Sequence, residues 1–197
     1  MKHLVLASGS RYRRDLLKRL LDDFSIDPPN IDENPLAGES GEQMARRLAH
    51  AKALQVAERH NHSIIIGSDQ VAILRQNDGT SLKLGKPGSF SKAARQLALC
   101  AGNRVDFFVA CCVLDSGSSQ QAAFDDCISV RYKKLSSSAI ERYLQRDKPY
   151  DCAGSIRTEG LGIALLDELR GSDPGSLIGL PLIALAKALE KFDIRVI

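Results

Sequence analysis

The stretch that decides the fold covers residues 63–74 and reads SIIIGSDQVAIL. Its two apolar runs are typical of a strand that is buried on both faces. Gly67, Ser68 and Asp69 lie between the runs, and we expect them to break the strand and to place a carboxylate at its loosened end. Active sites of sheet proteins often lie at such ends, but an aspartate there is also a common turn former. The residue type alone leaves both roles open.

Strand and helix patterns alternate on the N-terminal side of this stretch. Residues 3–7 predict a short apolar strand, which the turn Ser8-Gly9-Ser10 joins to a helix that begins near Arg11. A capping box at 40–43 predicts a second helix that extends to about His60. Further patterns predict strands over 24–27, 104–114 and 122–132, a hairpin turn at 77–79, and helices over 91–100, 137–146 and 177–192. Two adjacent strands late in the chain favour an α/β fold with a mixed sheet, in a single domain covering 1–197.

Composition excludes several classes of protein. The 197 residues are 44% hydrophobic and carry 27 basic against 24 acidic side chains, a net charge of +3. This charge is too weak and too evenly spread to indicate a nucleic acid polymer or a membrane as a partner. The five cysteines form no CxxC pair, so we interpret them as reduced thiols. The chain shows no signal peptide or membrane-spanning run, and we expect a cytoplasmic protein.

The junction at 6–17, LASGSRYRRDLL, is a candidate anion site. Small residues between a strand and a helix let backbone amides face an anion, although the spacing is not that of a P-loop. A cation in the first helical turn is disfavoured by the macrodipole, by about 0.3 kcal/mol or more. Arg13 and Arg14 nevertheless lie there, four and three residues before Leu17. This pattern favours a phosphate-binding pair over two solvated arginines.

Other polar residues are ambiguous from their positions alone. Lys52 follows Leu48 by four residues and precedes Val56 by four, so it is either a functional cation or a lysine that snorkels at the edge of an apolar face. Glu33 and Lys86 lie on proline-containing loops and would by themselves be read as solvent-facing. The histidines show no metal-ligand spacing. No GxSxG elbow or Ser/His/Asp order is visible, which disfavours covalent hydrolysis.

Four stretches together resemble the Maf family of nucleotide pyrophosphatases. They occur in order along nearly the whole chain: LASGSRYRRDLL at 6–17, GSDQV at 67–71, GKP at 85–87, and YDCAGSIRTEGLGIALLDELRGSDPGSLIGLPL at 150–182.

Within the family the chain is similar to the YceF-type branch of 7-methyl-GTP pyrophosphatases. The dTTP/UTP branch places Arg, Thr and Gln at the equivalents of Tyr12, Gln70 and Glu159. The pattern Cys152-Ala153-Gly154-Ser155 also separates the two branches. One departure is Arg11-Tyr12, where the 7-methyl-GTP branch usually has Pro-Trp. This departure concerns binding of the base and not the hydrolysis.

The resemblance implies a Maf/Ham1 (ITPase-like) fold, with a long mixed sheet flanked by helices and two lobes around a central cleft. It implies hydrolysis of the α–β phosphoanhydride of 7-methyl-GTP to a monophosphate and pyrophosphate, a house-cleaning reaction that removes modified nucleotides before their incorporation into nucleic acid. It also implies a divalent cation, Mg²⁺ or Mn²⁺, and a possible homodimer.

The resemblance assigns roles to individual residues. Asp69 is the expected base, and with Glu33 it forms a pair of hard oxygen ligands for the metal. The sequence does not choose between base and ligand for Asp69. Tyr12 would stack on the cationic methylated base with about 0.5–2 kcal/mol of cation–π stabilisation, Glu159 would offset its charge, and Gln70 would add a hydrogen bond. The polyphosphate would be held by Ser8, Arg13, Arg14, Lys52 and Lys86.

Two other functions compete with this hypothesis. One is a dTTP- or UTP-type pyrophosphatase of the same family. The other is a non-catalytic nucleotide-binding regulator of septum formation. Asp69, Glu33 and the candidate cations are all retained, which argues against a pure binder because such a protein needs no water-activating carboxylate.

Overall fold

The computed structural model of the protein describes residues 2–76 and 79–197. Over these residues the chain alternates strands and helices, as the sequence patterns predict. Two short 3₁₀ turns, Ala153–Ser155 and Leu161–Leu165, precede the seventh strand. In chain order the elements are β1 (His3–Ala7), α1 (Arg11–Leu17), β2 (Ser25–Ile26), α2 (Gly41–Ala57), β3 (Ser63–Arg75), β4 (Ser81–Leu84), α3 (Phe90–Cys100), β5 (Arg104–Asp115), β6 (Gln121–Tyr132), α4 (Ser137–Asp147), β7 (Leu166–Arg170), α5 (Pro174–Ile178) and α6 (Leu182–Glu190).

The strands form a seven-stranded sheet in the order β2-β1-β3-β5-β6-β7, and β4 pairs with β3 outside this path. β1 runs parallel to both β2 and β3, while β4 is antiparallel to β3 and β7 is antiparallel to β6. The parallel ladder between β1 and β3 ends where Ala7 lies opposite Gly67. The predicted α/β fold with a mixed sheet is therefore confirmed.

The chain divides into two compact units. The first comprises Met1–Gln70, Val109–Asp126 and Asp173–Ile197, and the second comprises Val71–Phe108 and Cys127–Ser172. Two units agree with the two lobes that the family resemblance implies. The central cleft and the single domain over 1–197 stay predictions.

In the first unit, alternate residues of β3 pack against different helices, because successive side chains of a strand point to opposite faces. Ile65 lies in a buried cluster with Ala53 and Val56 of α2. Ile64 and Ile66 lie in a second cluster with Leu16 and Leu17 of α1 and Leu185 and Leu189 of α6. Helices thus cover both faces of this part of the sheet, which explains the unbroken apolar runs in the sequence.

The expectation that β3 breaks at Gly67-Ser68-Asp69 is wrong. The strand continues from Ser63 to Arg75, and Asp69 lies within it. Gly67 serves the packing of a helix and does not end the strand. A Cβ at Gly67 would lie 2.3 Å from the carbonyl oxygen of Ala49 and 2.8 Å from the backbone nitrogen of Ala53. The backbone of α2 can approach β3 this closely only because residue 67 has no side chain.

The predicted helix over 177–192 is also wrong as a single element. It is divided into α5 and α6 by Gly179, which has a φ of 117°, and by Pro181 at the N-cap of α6. A left-handed glycine ends a helix readily, and a proline without an N–H group cannot continue one. The break leaves the carbonyl of Gly179 available to side chains.

Smaller differences concern element ends and one missed strand. α2 ends at Ala57, slightly before the predicted His60, after a capping box that the structure confirms. β7 is mostly polar, LDELR, and therefore gives no apolar signal. Of the predicted hairpin turn at 77–79, Asn77 and Asp78 lie outside the described residues, while β3 and β4 pair on either side of it.

The expectations from composition concern thiols and membrane segments. All five cysteines are free, and Cys100, Cys111 and Cys112 are buried, as expected for reduced core thiols. Burial raises the pKa of Cys111 to about 12, so this thiol stays protonated near neutral pH. Among the helices formed by the described residues, none combines the length and the apolar character that a bilayer crossing requires.

The close approach at Gly67 predicts that Gly67→Ala lowers the free energy of unfolding by about 3 kcal/mol, because the new methyl group overlaps helix backbone that cannot rotate away. Urea denaturation measures this loss. Gly85→Ala is the matched control, since a Cβ there has nothing within 4 Å. Equal losses of stability in the two variants would contradict the packing role of Gly67.

Candidate active site

Three charged side chains meet beside β3 in the first unit. The ammonium of Lys52 donates to Asp69 Oδ1 at 2.6 Å and lies 2.8 Å from Glu33 Oε1. The side chains of Lys52 and Asp69 are 6% and 10% exposed, whereas that of Glu33 is 53% exposed. One buried cation therefore joins two carboxylates that lie 36 positions apart in the chain.

The position of Lys52 follows from the packing of α2. Leu48, Ala49, Ala53 and Val56 bury the same side of the helix, and the glycine in β3 lets that side come close to the strand. Residues 67 and 69 point to the same face of β3, so the lysine stem extends along the strand to Asp69. The alternative of a snorkelling lysine is therefore wrong, because the ammonium ends at carboxylates and not in solvent.

The loop that carries Glu33 is held against α2. Arg47 donates to the carbonyl oxygen of Asn34 at 3.1 Å, and Gln55 accepts from the backbone nitrogen of Asn30 at 2.6 Å. Neither of these α2 residues is predicted from the sequence. The two residues are eight positions apart and therefore lie on the same side of the helix. That this side binds the Glu33 loop is visible only in the folded structure.

A second cluster surrounds Arg13. Its Nε donates to the carbonyl oxygen of Gly179 at 2.9 Å, and its Nη1 donates to Ser8 Oγ at 3.3 Å. Ser68, which is fully buried, donates to the same Gly179 carbonyl at 3.0 Å. Arg13 and Ser8 are predicted from the sequence, whereas Ser68 and Gly179 are not, because the link between them depends on the break between α5 and α6.

The two clusters approach the same point of β3 from opposite faces. Ser68 belongs to the Arg13 cluster, Asp69 belongs to the Lys52 cluster, and these consecutive residues continue past the end of the β1–β3 ladder. Their Cα atoms are necessarily about 3.8 Å apart. The structure thus brings Ser8, Arg13, Lys52, Glu33 and Asp69 to one region of the first unit.

Arg14 and Tyr12 contact neighbouring side chains of α1. Arg14 Nε lies 2.8 Å from Asp15 Oδ1, and this hydrogen bond lowers the pKa of the Asp15 carboxyl. The guanidinium carbon of Arg11 lies 4.8 Å from the centre of the Tyr12 ring, and Arg11 Nη2 donates to Tyr12 Oη at 2.7 Å. A base that stacks on Tyr12 must use the other face of the ring or displace Arg11.

Gln70 uses its amide group within the protein. Its Nε2 donates to the carbonyl oxygens of Ser176 at 2.7 Å and Leu177 at 3.0 Å, both in α5. With both N–H groups engaged, the side chain can offer a ligand only its carbonyl oxygen as an acceptor. A role of Gln70 in base recognition stays a prediction, and in that role it would accept a hydrogen bond from the base.

Lys86 and Glu159 are exposed and belong to the second unit. The loop with Lys86 and the segment before Glu159 are joined through α3, because Gln96 donates to the carbonyl oxygen of Gly85 at 3.1 Å and accepts from Ser155 Oγ at 2.6 Å. Membership of Lys86 and Glu159 in the site of the first unit stays a prediction.

The described residues contain no group of three or more His, Cys, Asp or Glu side chains placed to hold a metal ion. The pair Glu33 and Asp69 nevertheless suits Mg²⁺, which proteins bind through one or two carboxylates while substrate phosphates and water fill the remaining positions. Both carboxylates already converge on one cation, the Lys52 ammonium. The donor set therefore fits the expected metal.

A family model and several similar proteins match almost the whole chain. The family model described as Maf-like protein matches residues 3–192. The 7-methyl-GTP pyrophosphatase of Methylobacillus flagellatus is 48% identical over 100% of both chains. Those of Cupriavidus pinatubonensis and Bordetella pertussis are 47% and 46% identical, covering 97% of this chain and 94% and 92% of their own. Among solved structures, the Staphylococcus aureus Ham1 protein has a TM-score of 0.45 and 14% identity, over 68% of this chain and 73% of its own.

The buried ion pair predicts strong coupling between Lys52 and Asp69. Lys52→Met should lower the free energy of unfolding by about 3–5 kcal/mol, since it leaves a buried carboxylate without its cation. Adding Asp69→Asn should recover about 1–3 kcal/mol of that loss in a double-mutant cycle followed by urea denaturation.

The exposed pair Arg46 and Asp125, with Nε 2.7 Å from Oδ2, is the matched control. Its coupling in the cycle Arg46→Met and Asp125→Asn should stay below about 1 kcal/mol. Additive effects of Lys52→Met and Asp69→Asn would contradict the buried pair.

Proposed function

The chain belongs to the Maf family, and on this basis we propose that it is a nucleoside triphosphate pyrophosphatase that hydrolyses the α–β phosphoanhydride of 7-methyl-GTP. The proposal is supported by relatives of 46–48% identity that carry this name and by coverage of the full chain. The observation that carries it is the buried Lys52 between Asp69 and Glu33, next to the Arg13 cluster.

This chemistry asks the protein mainly for charge neutralisation and a positioned water. Two N–H groups of Arg13 contact Gly179 and Ser8, which fixes the plane of the guanidinium and leaves its remaining donors for phosphate oxygens. Lys52 adds a point charge from the other face of β3. We assign Arg14 and Lys86 to the outer phosphates, where Arg14 must exchange Asp15 for a phosphate oxygen.

Asp69 is the candidate base. The oxygen of water forms a bond to a phosphorus of the α–β bridge, and the bond between that same phosphorus and the bridging oxygen breaks. The bridging oxygen leaves with the other phosphorus, and the products are the monophosphate and pyrophosphate. Asp69 accepts the proton of the attacking water if it acts as the base. Glu33 and Asp69 would hold Mg²⁺ or Mn²⁺, which when bound supplies positive charge to the phosphate oxygens.

We assign selection of the cationic methylated base to one negatively charged side chain and two neutral ones. Methylation at N7 makes guanine cationic, so the Glu159 carboxylate can offset that charge and accept hydrogen bonds from the base. The Tyr12 ring can stack on the cation, as it already does with the guanidinium of Arg11. Gln70 can accept one further hydrogen bond.

We further propose action on the nucleotide pool of the cytoplasm, where free cysteines persist. In this role the enzyme removes modified nucleotides before they enter nucleic acid. Assembly into a homodimer is part of the proposal and is tested by light scattering of the purified protein.

A pyrophosphate-release assay with a nucleotide panel tests the function. The purified protein is incubated with 7-methyl-GTP, GTP, dTTP and UTP, with and without Mg²⁺. Release should be fastest with 7-methyl-GTP and should require the metal. Preference for dTTP or UTP would favour the other branch of the family, and release from none of them would favour a non-catalytic binder.

Asp69→Asn should reduce turnover of 7-methyl-GTP by a factor on the order of 10²–10³, because it removes the proton acceptor or a metal ligand. Nucleotide binding, measured by isothermal titration calorimetry, should remain detectable. Asp22→Asn, at an exposed carboxylate of the same unit, is the control and should keep full activity. Unchanged turnover in Asp69→Asn would eliminate its catalytic role.

Glu159→Gln should weaken the preference for 7-methyl-GTP over GTP roughly ten-fold, since it removes one charge-assisted contact worth about 1.5 kcal/mol. The ratio of the two kcat/KM values measures this preference. Glu141→Gln alters an exposed glutamate of α4 and should leave the ratio as it is. An unaltered ratio in Glu159→Gln would exclude the contact.

A further inference from the structure

A buried carboxylate closes the loop that carries Glu159. Asp147 is the last residue of α4, and its side chain is 4% exposed. Its Oδ1 accepts from Arg157 Nη2 at 2.6 Å, and its Oδ2 accepts from the backbone nitrogen of Leu161 at 3.0 Å. One carboxylate thus holds both ends of the segment 157–161, which lies wholly in the second unit.

A second residue of α4 fixes the same segment. Tyr143 lies four residues before Asp147, on the same face of the helix. Its buried Oη accepts from the backbone nitrogen of Arg157 at 2.9 Å, and burial raises the pKa of this phenol. Arg157 is therefore held through its side chain by Asp147 and through its backbone by Tyr143.

Glycines make the closure tight. A Cβ at Gly160 would lie 2.7 Å from each carboxylate oxygen of Asp147 and 2.8 Å from Arg157 Nε. A Cβ at Gly162 would lie 2.4 Å from the carbonyl oxygen of Arg157, which accepts from the Gly162 nitrogen at 3.0 Å. The segment can close on Arg157 only because both positions lack side chains.

The closed segment presents two side chains at its tip. Thr158 and Glu159 lie between the fixed ends, and Glu159 is exposed. The hydroxyl of Thr158 donates to Glu159 Oε2 at 3.3 Å, which further limits the orientation of the carboxylate. A charged group on a fixed loop binds a ligand with less loss of conformational freedom than one on a mobile loop.

We propose that Asp147 and Arg157 are positioning residues for base selection: by closing the segment 157–161 they hold the Glu159 carboxylate where it distinguishes a cationic, N7-methylated guanine from neutral guanine. This inference rests on the proposed function and adds to it the residues on which selectivity depends. Neither residue is among those assigned above to the phosphates or the metal, so we expect the chemical step not to depend on them.

Asp147→Asn tests the inference, because it keeps the shape of the side chain and removes the charge that holds Arg157. We expect the kcat/KM ratio of 7-methyl-GTP to GTP to fall three- to ten-fold, through a higher KM for the methylated nucleotide and an unchanged kcat. Asp106→Asn is the matched control in the same unit, since Asp106 accepts from Arg75 at 2.8 Å and from Ser129 at 2.7 Å. Its ratio should not change, and an equal fall in both variants would overturn the inference.

The double variant with Glu159→Gln separates this inference from the proposed function. If Asp147 acts through Glu159, the double variant has the same ratio as Glu159→Gln alone. If the two substitutions instead lower the kcat/KM ratio independently, so that their effects multiply in the double variant, the positioning role is overturned. No change in Glu159→Gln would refute the proposed base contact, whereas a change there without one in Asp147→Asn would refute only the inference.

Two measurements keep the test decisive if Asp147→Asn folds poorly. Arg157→Lys retains the charge but not the planar guanidinium, and it should also lower the ratio. Hydrogen exchange of the Leu161 amide should be slow in the unaltered protein, because its acceptor is Asp147. It should be faster in Asp147→Asn, which alters the acceptor, and in Arg157→Lys, which removes the guanidinium that holds the acceptor. A normal ratio in Arg157→Lys together with unchanged exchange would overturn the proposal.

Discussion

The contact between α2 and β3 at Gly67 sets the positions of the charged groups in the first unit. Helix backbone lies where a side chain of residue 67 would be, so the helix axis cannot move outward or along the strand without losing that fit. The side chain of Lys52 extends from the helix close to this contact and reaches Asp69 on the same face of the strand. Burying an ammonium is costly without a partner, and the carboxylates of Asp69 and Glu33 provide partners. The same contact therefore packs the core and places the carboxylate that we propose as the base or metal ligand.

The two faces of β3 carry different groups of the candidate site. On the side of α2 it places a carboxylate, and on the side of α1 it places the buried hydroxyl of Ser68, which shares the Gly179 carbonyl with Arg13. The strand period of two makes this division possible with adjacent residues. The carbonyl of Gly179 can accept from both groups because α5 stops there, so the break between the helices orients Arg13, the arginine that we propose binds phosphate.

Local patterns in the sequence predict most of the fold. Residue patterns predict β1, β3, β5 and β6, and the capping box predicts the start of α2, because these features depend on neighbouring residues. The continuity of β3, the division of α5 from α6 and the polar strand β7 were not predicted, since they depend on what packs against them. The residue types of the site were identified through the family resemblance. Their geometry was not: Arg47, Gln55, Ser68 and Asp147 act through partners that are distant in the chain.

The self-contained closure of the segment 157–161 bears on how relatives with different substrates arise. Its ends are fixed by a helix of its own unit, and its tight turns come from its own glycines. A changed tip residue therefore leaves the scaffold beneath it intact. If Glu159 selects the base as proposed, base preference can change through the tip residue alone while the residues assigned to hydrolysis stay the same. A segment transferred between paralogues would then need Asp147 as well, because this carboxylate holds both of its ends.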